Sequence, residues 1–330
     1  MSVRYSHPPE DSHEGVHLRD HLDDVAQRAD EIVPDGATTP EGESVQRVVE
    51  TLAYVHDFGK ATTFFQEYLR HDTEPEYKPC RYHAPIGSFA AYYALDAQEF
   101  ETETCLAGFV AVAKHHGRLP DVTQYIYDRA YNSENSTSGA QTNAEQQQAA
   151  IAMQLNDIEE HVPELAADIF DDATDSDGSW DGFRQAYKGL LDEIAATVAT
   201  ESGTTINRDS LSDSCYGLVL ECWGSLVLAD KTSAASRSED AGSGSTYEAE
   251  RPSMQVLDEY VDDLESSSPA DPDGSRTERL NHYRSRARSA VIANAQEFPI
   301  PVGSVSVATP PPASANCSAF AMTADRARDR

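Results

Sequence analysis

Nine of the eleven histidines lie in the first 116 of 330 residues, where even scatter would place about four. Histidine is the commonest metal ligand. Several of them sit on or beside apolar, helix-periodic stretches, so successive helices can deliver them to one place. Leu18–Ala29 carries an apolar stripe of Leu18, Leu22, Val25 and Ala26, and Val45–His56 one of Val45, Val48, Val49, Leu52 and Val55. Ala84–Leu95 and Leu106–His116 are apolar and helix-compatible, and Ile151–His161, Phe183–Val198 and Leu211–Ala229 follow. Strand-like alternation is absent until Gly303–Ala308, so the expected fold class is all-α.

Polar stretches separate these segments. Asn132–Gln148, Asp171–Gly178 and Ser233–Ser245 read as surface loops. Ser266–Ser275, with Pro269, Pro272 and Gly274, reads as a sharper boundary, followed by an Arg-rich helix Arg276–Ala295.

Charge bounds the environment. There are 57 acidic and 25 basic residues, a net charge of −32, and only five of the basic residues are Lys. Acids spread along the whole chain with scarce Lys point to a halophile's cytoplasm, where carboxylates hold water as salt shortens the Debye length to ~3 Å. In such salt, acidity does not exclude a nucleic-acid partner, because repulsion is screened and counterion release contributes less. Leu218–Ala229, the most membrane-like run, is far short of ~20 apolar residues and contains Glu221, so no membrane span is expected. The N-terminal stretch lacks the apolar core of a secretory signal. Cys80, Cys105, Cys215, Cys222 and Cys317 form no C-x-x-C pair, which argues against a zinc ribbon or disulfide framework and for inert thiols.

The central element is Val55-His56-Asp57-Phe58-Gly59-Lys60. His56 offers an imidazole nitrogen, Asp57 a carboxylate able to bridge two cations, and Lys60 lies at a spacing that lets it face the same way on a helix. The bland reading of Asp57 and Lys60 is a surface ion pair worth ~0–1 kcal/mol. Further candidates are His21, His83 and the pair His115-His116, at separations of 35, 27 and 32 residues, each about one helix plus a connection. Asp230 closes the run Leu226–Asp230. His17 and His21 are four apart as in zinc peptidases, but Leu18 stands where the Glu base belongs. Gly242-Ser243-Gly244 lacks a following Lys and reads as linker.

Five stretches, "LRDHLDDVAQRA", "LAYVHDFGKATTFFQEYL", "RYHAPIGSFAAYYAL", "VAVAKHHGRLPD" and "SLVLADKTSAAS", together resemble the HD phosphohydrolase superfamily. More narrowly, they resemble the HD nuclease domain of the CRISPR-associated type I nuclease-helicase. The resemblance covers roughly residues 1–265. It implies an HD-superfamily helical bundle in which His21, His56, Asp57 and Asp230 hold a first metal. His83, His115 and His116 hold a second, with Asp57 bridging. Asp57 and Lys60 then serve the chemistry, Lys60 contacting the scissile phosphate or a water held by a metal. His17 is an alternative to His21. His7, His13, His71, His161 and His282 are read as outside the site.

The implied cofactors are one or two divalent ions; imidazole with carboxylate suits Mn, Co, Ni, Fe or Zn better than Mg. The implied activity is metal-dependent cleavage of single-stranded DNA in CRISPR interference, in the cytoplasm, with an RNA-guided surveillance complex and a helicase as partners. Alternatives are a phosphohydrolase of nucleotides or cyclic nucleotides, and a non-catalytic truncated product.

The expected division is an HD nuclease domain at 1–265, a linker at 266–278, and a truncated helicase remnant at 279–330 that is poorly ordered after about residue 296. "GSVSVA" resembles the first helicase strand, but "TPPPASANCSAFAMTADRARDR" follows where a phosphate loop belongs, so this chain carries no ATP site. One codon choice for Pro311 to Asn316, read out of phase, gives Thr-Gly-Leu-Gly-Lys, and a frameshift near residue 309 is the corresponding expectation.

Overall fold

A computed structural model describes residues 3–9, 15–71, 73–130, 143–200, 205–235 and 270–297. Two compact units, Met1–Ser245 and Thr246–Arg330, divide the chain. The first holds ten described α-helices: α1 (Leu18–Ile32), α2 (Val45–Val55), α3 (Thr63–His71), α4 (Ala84–Ala97), α5 (Thr102–Ala113), α6 (Val122–Ala130), α7 (Asn143–His161), α8 (Pro163–Thr174), α9 (Trp180–Val198) and α10 (Asp213–Ala235). Of the second unit, α11 (Arg276–Glu297) is described. The expected all-α helical bundle is the fold observed. No helix among the described residues is long and apolar enough to cross a membrane.

The core follows from the apolar stripes. On α2, Val45, Val48, Val49, Leu52 and Val55 are all fully buried, and the Ser44 side chain caps the helix by accepting from the Arg47 N–H at 3.2 Å. The α4 and α5 helices pack side by side, and α10 lies against α5 and α1. Phe58, just beyond α2, plugs into an aromatic cluster: its ring centroid is 5.3 Å from Phe170 and 5.5 Å from Trp180, with Phe183 stacked on Phe170. Such ring pairs add ~0.5–1.5 kcal/mol beyond area burial. Cys80, Cys105, Cys215 and Cys222 are buried free thiols, and burial pushes Cys80 up to about 11 and Cys215 to about 12, as inert thiols require.

Several expectations shift. A small antiparallel sheet pairs β1 (Tyr5–His7) with β2 (Val16–His17), where no early strand was expected; two short strands are too brief to show alternation. The α7 helix begins at Asn143, inside the stretch read as a loop, because Ala144, Glu145 and Gln146–Gln148 are good helix formers. The α8 helix runs to Thr174 through the first residues of the Asp171–Gly178 segment: its buried stripe Ala166, Ile169, Phe170 and Ala173 carries it past two aspartates until Asp175 turns left-handed at φ 49°. The α10 helix extends to Ala235, so Asp230 lies within a helix and not at its end. The α5 helix stops at Ala113, leaving His115 and His116 in the following turn. The expected strand Gly303–Ala308, the remnant beyond residue 297 with its reading-frame question, His13, Cys317 and Gly242–Gly244 lie outside the described residues.

Removing the Phe58 ring should cost about 3–5 kcal/mol, the range for a fully buried aromatic. Denaturant unfolding of Phe58→Ala checks this, and a loss under 1 kcal/mol would refute the anchoring role.

Candidate metal centre

The chain leaves α2 through a tight change of direction. His56 keeps helical geometry, with its N–H bonded to the Leu52 carbonyl at 2.9 Å, whereas Asp57 sits at φ −101°, ψ 11°. A 3-10 turn, Phe58–Ala61, follows. Lys60 is therefore brought round by this turn, not by a continued α-helix as the spacing suggested. Two glycines let the turn meet α4 at backbone distance. A Cβ on Gly59 would lie 2.6 Å from the His83 Cα, and one on Gly87 would lie 2.7 Å from the His56 carbonyl oxygen. These contacts bring His56, Asp57 and His83 together, since no side chain larger than hydrogen fits between them.

The side chains converge on Asp57, which is 1% exposed. Its Oδ2 lies 3.2 Å from His21 Nε2 and 3.4 Å from His56 Nε2; its Oδ1 lies 3.1 Å from His83 Nε2 and 3.6 Å from His115 Nε2. Asp230 Oδ1 approaches His21 Nε2 at 3.5 Å and His56 Nε2 at 3.9 Å. His83 and His116 face each other, Nε2 to Nε2, at 3.0 Å. Two clusters of potential ligands result: His21, His56 and Asp230 on one side, and Asp57, His83, His115 and His116 on the other. Each Asp57 oxygen faces a different set.

Backbone carbonyls orient the rings. His56 Nδ1 donates to the Ala53 carbonyl at 2.7 Å and His115 Nδ1 to the Val112 carbonyl at 2.6 Å, which leaves each Nε2 lone pair aimed inward. Trp223 on α10 fastens the turn beyond α5 by donating from Nε1 to the Lys114 carbonyl at 2.9 Å. Lys60 Nζ lies 2.5 Å from Asp57 Oδ2 and 3.3 Å from Ser6 Oγ on β1. Gln66 on α3 ties β1 to this turn: its side-chain amide accepts from the Tyr5 N–H at 3.0 Å and donates to the Tyr5 and Lys60 carbonyls at 2.7 and 2.8 Å.

Protonation suits cation binding. Burial pushes the His56 and His116 imidazoles down to about 3, so both are neutral donors near pH 7. Burial opposes ionisation of Asp57, yet the Lys60 ammonium beside it outweighs that cost and holds the carboxyl well below its ordinary range. Burial likewise opposes ionisation of Asp230, and the approach of the His21 imidazole overcomes it, holding the carboxyl below its ordinary range.

The donor set fits divalent metal. Nε2 of His21, His56 and His115 and both Asp57 oxygens are buried without a satisfactory hydrogen bond, apart from the Lys60 ion pair on Oδ2. Buried polar atoms normally have partners. A neutral-imidazole and carboxylate cage with inward lone pairs is a typical environment for a transition metal.

The structure thus gathers His21, His56, Asp57, Lys60, His83, His115, His116 and Asp230, the full expected set. His17 is not among them; its side chain is about half exposed and faces Asp20 at 3.6 Å. His161 bonds to Asp157, and His71 ends α3 in an exposed position. Sequence reasoning placed His7 outside the site, yet its ring centroid is 5.6 Å from that of His21. Ser6, Gln66 and Gly87 also escaped it. Gly87 alone carried a signal, a glycine inside an apolar helix, which often marks close backbone approach.

The family model described as "Cas3, HD domain" matches residues 6–201. The chain belongs to the Cas3 HD domain family. A "CRISPR-associated nuclease/helicase Cas3" from Haloferax volcanii is 30% identical over 264 residues, covering 78% of this chain and 26% of that protein. The chain therefore spans about a quarter of the length of this curated relative. No solved structure matches it. Asp230 lies beyond the matched Cas3 HD span, and the structure brings it to His21 and His56.

A cation held here should stabilise the fold by about 2.7 kcal/mol at 100-fold its dissociation constant. Melting temperature with and without Mn, Co, Ni or Zn, and after chelation, reads this directly. Asp57→Asn should abolish the shift, and a shift unchanged in that variant would remove Asp57 from the cage.

Proposed function

We propose that the chain is a metal-dependent nuclease that hydrolyses phosphodiesters of single-stranded DNA in CRISPR interference. The observation that carries this reading is the shared Asp57 carboxylate, one oxygen toward each imidazole set. His21, His56 and Asp230 with Asp57 Oδ2 would hold one cation. His83, His115 and His116 with Asp57 Oδ1 would hold the other. Paired cations supply Lewis-acid stabilisation for the attacking and leaving oxygens of an in-line displacement.

The protein's own part is orientation and charge. The Ala53 and Val112 carbonyls lock two rings in the tautomer that presents Nε2. Lys60 supplies a cation on a flexible stem, able to leave Asp57 for a phosphate oxygen. Ser6 and Gln66 keep that stem beside the carboxylate. Burial of Asp57 and its neighbours gives a low-dielectric setting in which such charges act strongly.

The Haloferax relative's printed name, a CRISPR-associated nuclease/helicase, supports the CRISPR setting and a helicase partner, and single-stranded DNA and an RNA-guided surveillance complex are the substrate and partner proposed with them. That relative, with the acidic composition, also supports activity in concentrated salt and a cytoplasmic setting. Residues 1–265 would form the nuclease domain, 266–278 the linker, and 279–330 a helicase remnant without an ATP site.

The deciding experiment is degradation of circular and linear single-stranded DNA in high salt across Mn, Co, Ni, Fe, Mg and Zn. Cutting should require metal and cease on chelation, and His56→Ala and Asp57→Ala should each lower the rate at least 100-fold. Hydrolysis of nucleotides or cyclic nucleotides without DNA cleavage would assign the centre to small substrates instead. Metal loading with no hydrolysis of either would make it structural.

A further inference from the structure

The 3-10 turn Lys78–Arg81 and Tyr82 lead directly into His83. Tyr82 is 51% exposed, one of the few large apolar-bodied side chains left to solvent among the described residues. Its backbone is fixed, because Gln154 on α7 donates from Nε2 to the Cys80 and Tyr82 carbonyls at 2.8 and 3.0 Å. Its ring is braced by the Arg81 guanidinium, 5.0 Å from the ring centroid and 5.1 Å from that of Tyr68.

Tyr82 borders a cleft of about 170 Å³, whose walls also include Pro79, Pro85, Arg129, Gln146 and Gln147. That volume is below the ~300–1,000 Å³ of drug-sized sites, so it suits a single ring system. Two prolines and a tyrosine give flat apolar walls. Gln146, whose side chain is an amide, lines this cleft, and its backbone carbonyl accepts from the Tyr77 hydroxyl at 3.0 Å. An amide can both donate to and accept from the edge of a base. Arg129, bonded to Gln147 Oε1 at 2.9 Å, adds positive charge in a chain of net charge −32.

We propose that this cleft is a nucleobase subsite, taking one unpaired base of a strand whose neighbouring phosphate lies at the metal centre, with Tyr82 as the stacking platform. The proposal rests on the single-stranded DNA reading and deepens it. His83, whose Nε2 lies 3.1 Å from Asp57 Oδ1, is the next residue after Tyr82, so one peptide unit joins the cleft wall to the centre. Stacking also suits this chain: base–aromatic contact contributes ~1–3 kcal/mol per base, and salt does not screen it as it screens phosphate contacts.

The test measures binding of a fluorescent ten-nucleotide oligothymidylate, and of the same backbone with abasic residues, to the full chain by anisotropy in high salt with metal present. Nuclease-resistant phosphorothioate linkages keep cleavage out of the reading. The base-bearing strand should bind about ten-fold tighter than the abasic one. Tyr82→Ala should erase that difference by weakening the base-bearing strand, and Tyr82→Phe should restore it. Equal binding of the two strands by the unaltered chain, no binding of either, or equal weakening of both by Tyr82→Ala would overturn the subsite. Calorimetric metal loading of the same samples is a separate readout, so the cation cage and the base subsite stand or fall independently.

Discussion

One carboxylate organises this molecule. Asp57 is nearly inaccessible, faces four imidazoles and carries Lys60 as its counter-ion. An isolated charge at such depth would cost several kcal/mol, so its surroundings have to compensate it. Everything close to it serves that need. Rings are turned by carbonyls, a lysine is steered by a serine on a short strand, and two glycines remove the Cβ atoms that would hold the elements apart.

The architecture around it divides the labour. Helices α1 and α10 deliver His21 and Asp230 from one direction, while α4 and the turn after α5 deliver His83, His115 and His116 from another. The aromatic cluster beneath Phe58 supplies the rigidity on which the turn rests. Asp157 on α7 adds a clamp by accepting from the Thr63 N–H at 2.6 Å, tying the end of the turn to the outer helices. Positional accuracy thus comes from packing well outside the ligand sphere.

Much of this was legible in the residues. Stripes such as Val45–Val55 announced helices because burial on one face imposes a 3.6-residue period. The ordered histidines and Asp230 announced the cage because imidazole and carboxylate in that order resemble one family. What stayed hidden was set by tertiary contact. The α8 helix continues through Asp171 and Asp172 only because its buried face does, and Asp171–Gly178 by itself looks like loop. Ser6 and His7 reach the centre on a three-residue strand whose pairing partner lies beyond a gap in the local pattern. Gln66 was one more polar residue on a helix until its amide was seen to join two backbones.

The span from His21 to Asp230 has a consequence for biosynthesis. A ribosome-bound fragment that has not yet emerged as far as residue 230 already carries every histidine of the centre, but one of its two ligand clusters is incomplete. That cluster closes only after α10 has docked against α1 and α5. The order of the residues along the chain therefore makes Asp230 the last of the clustered side chains to be synthesised.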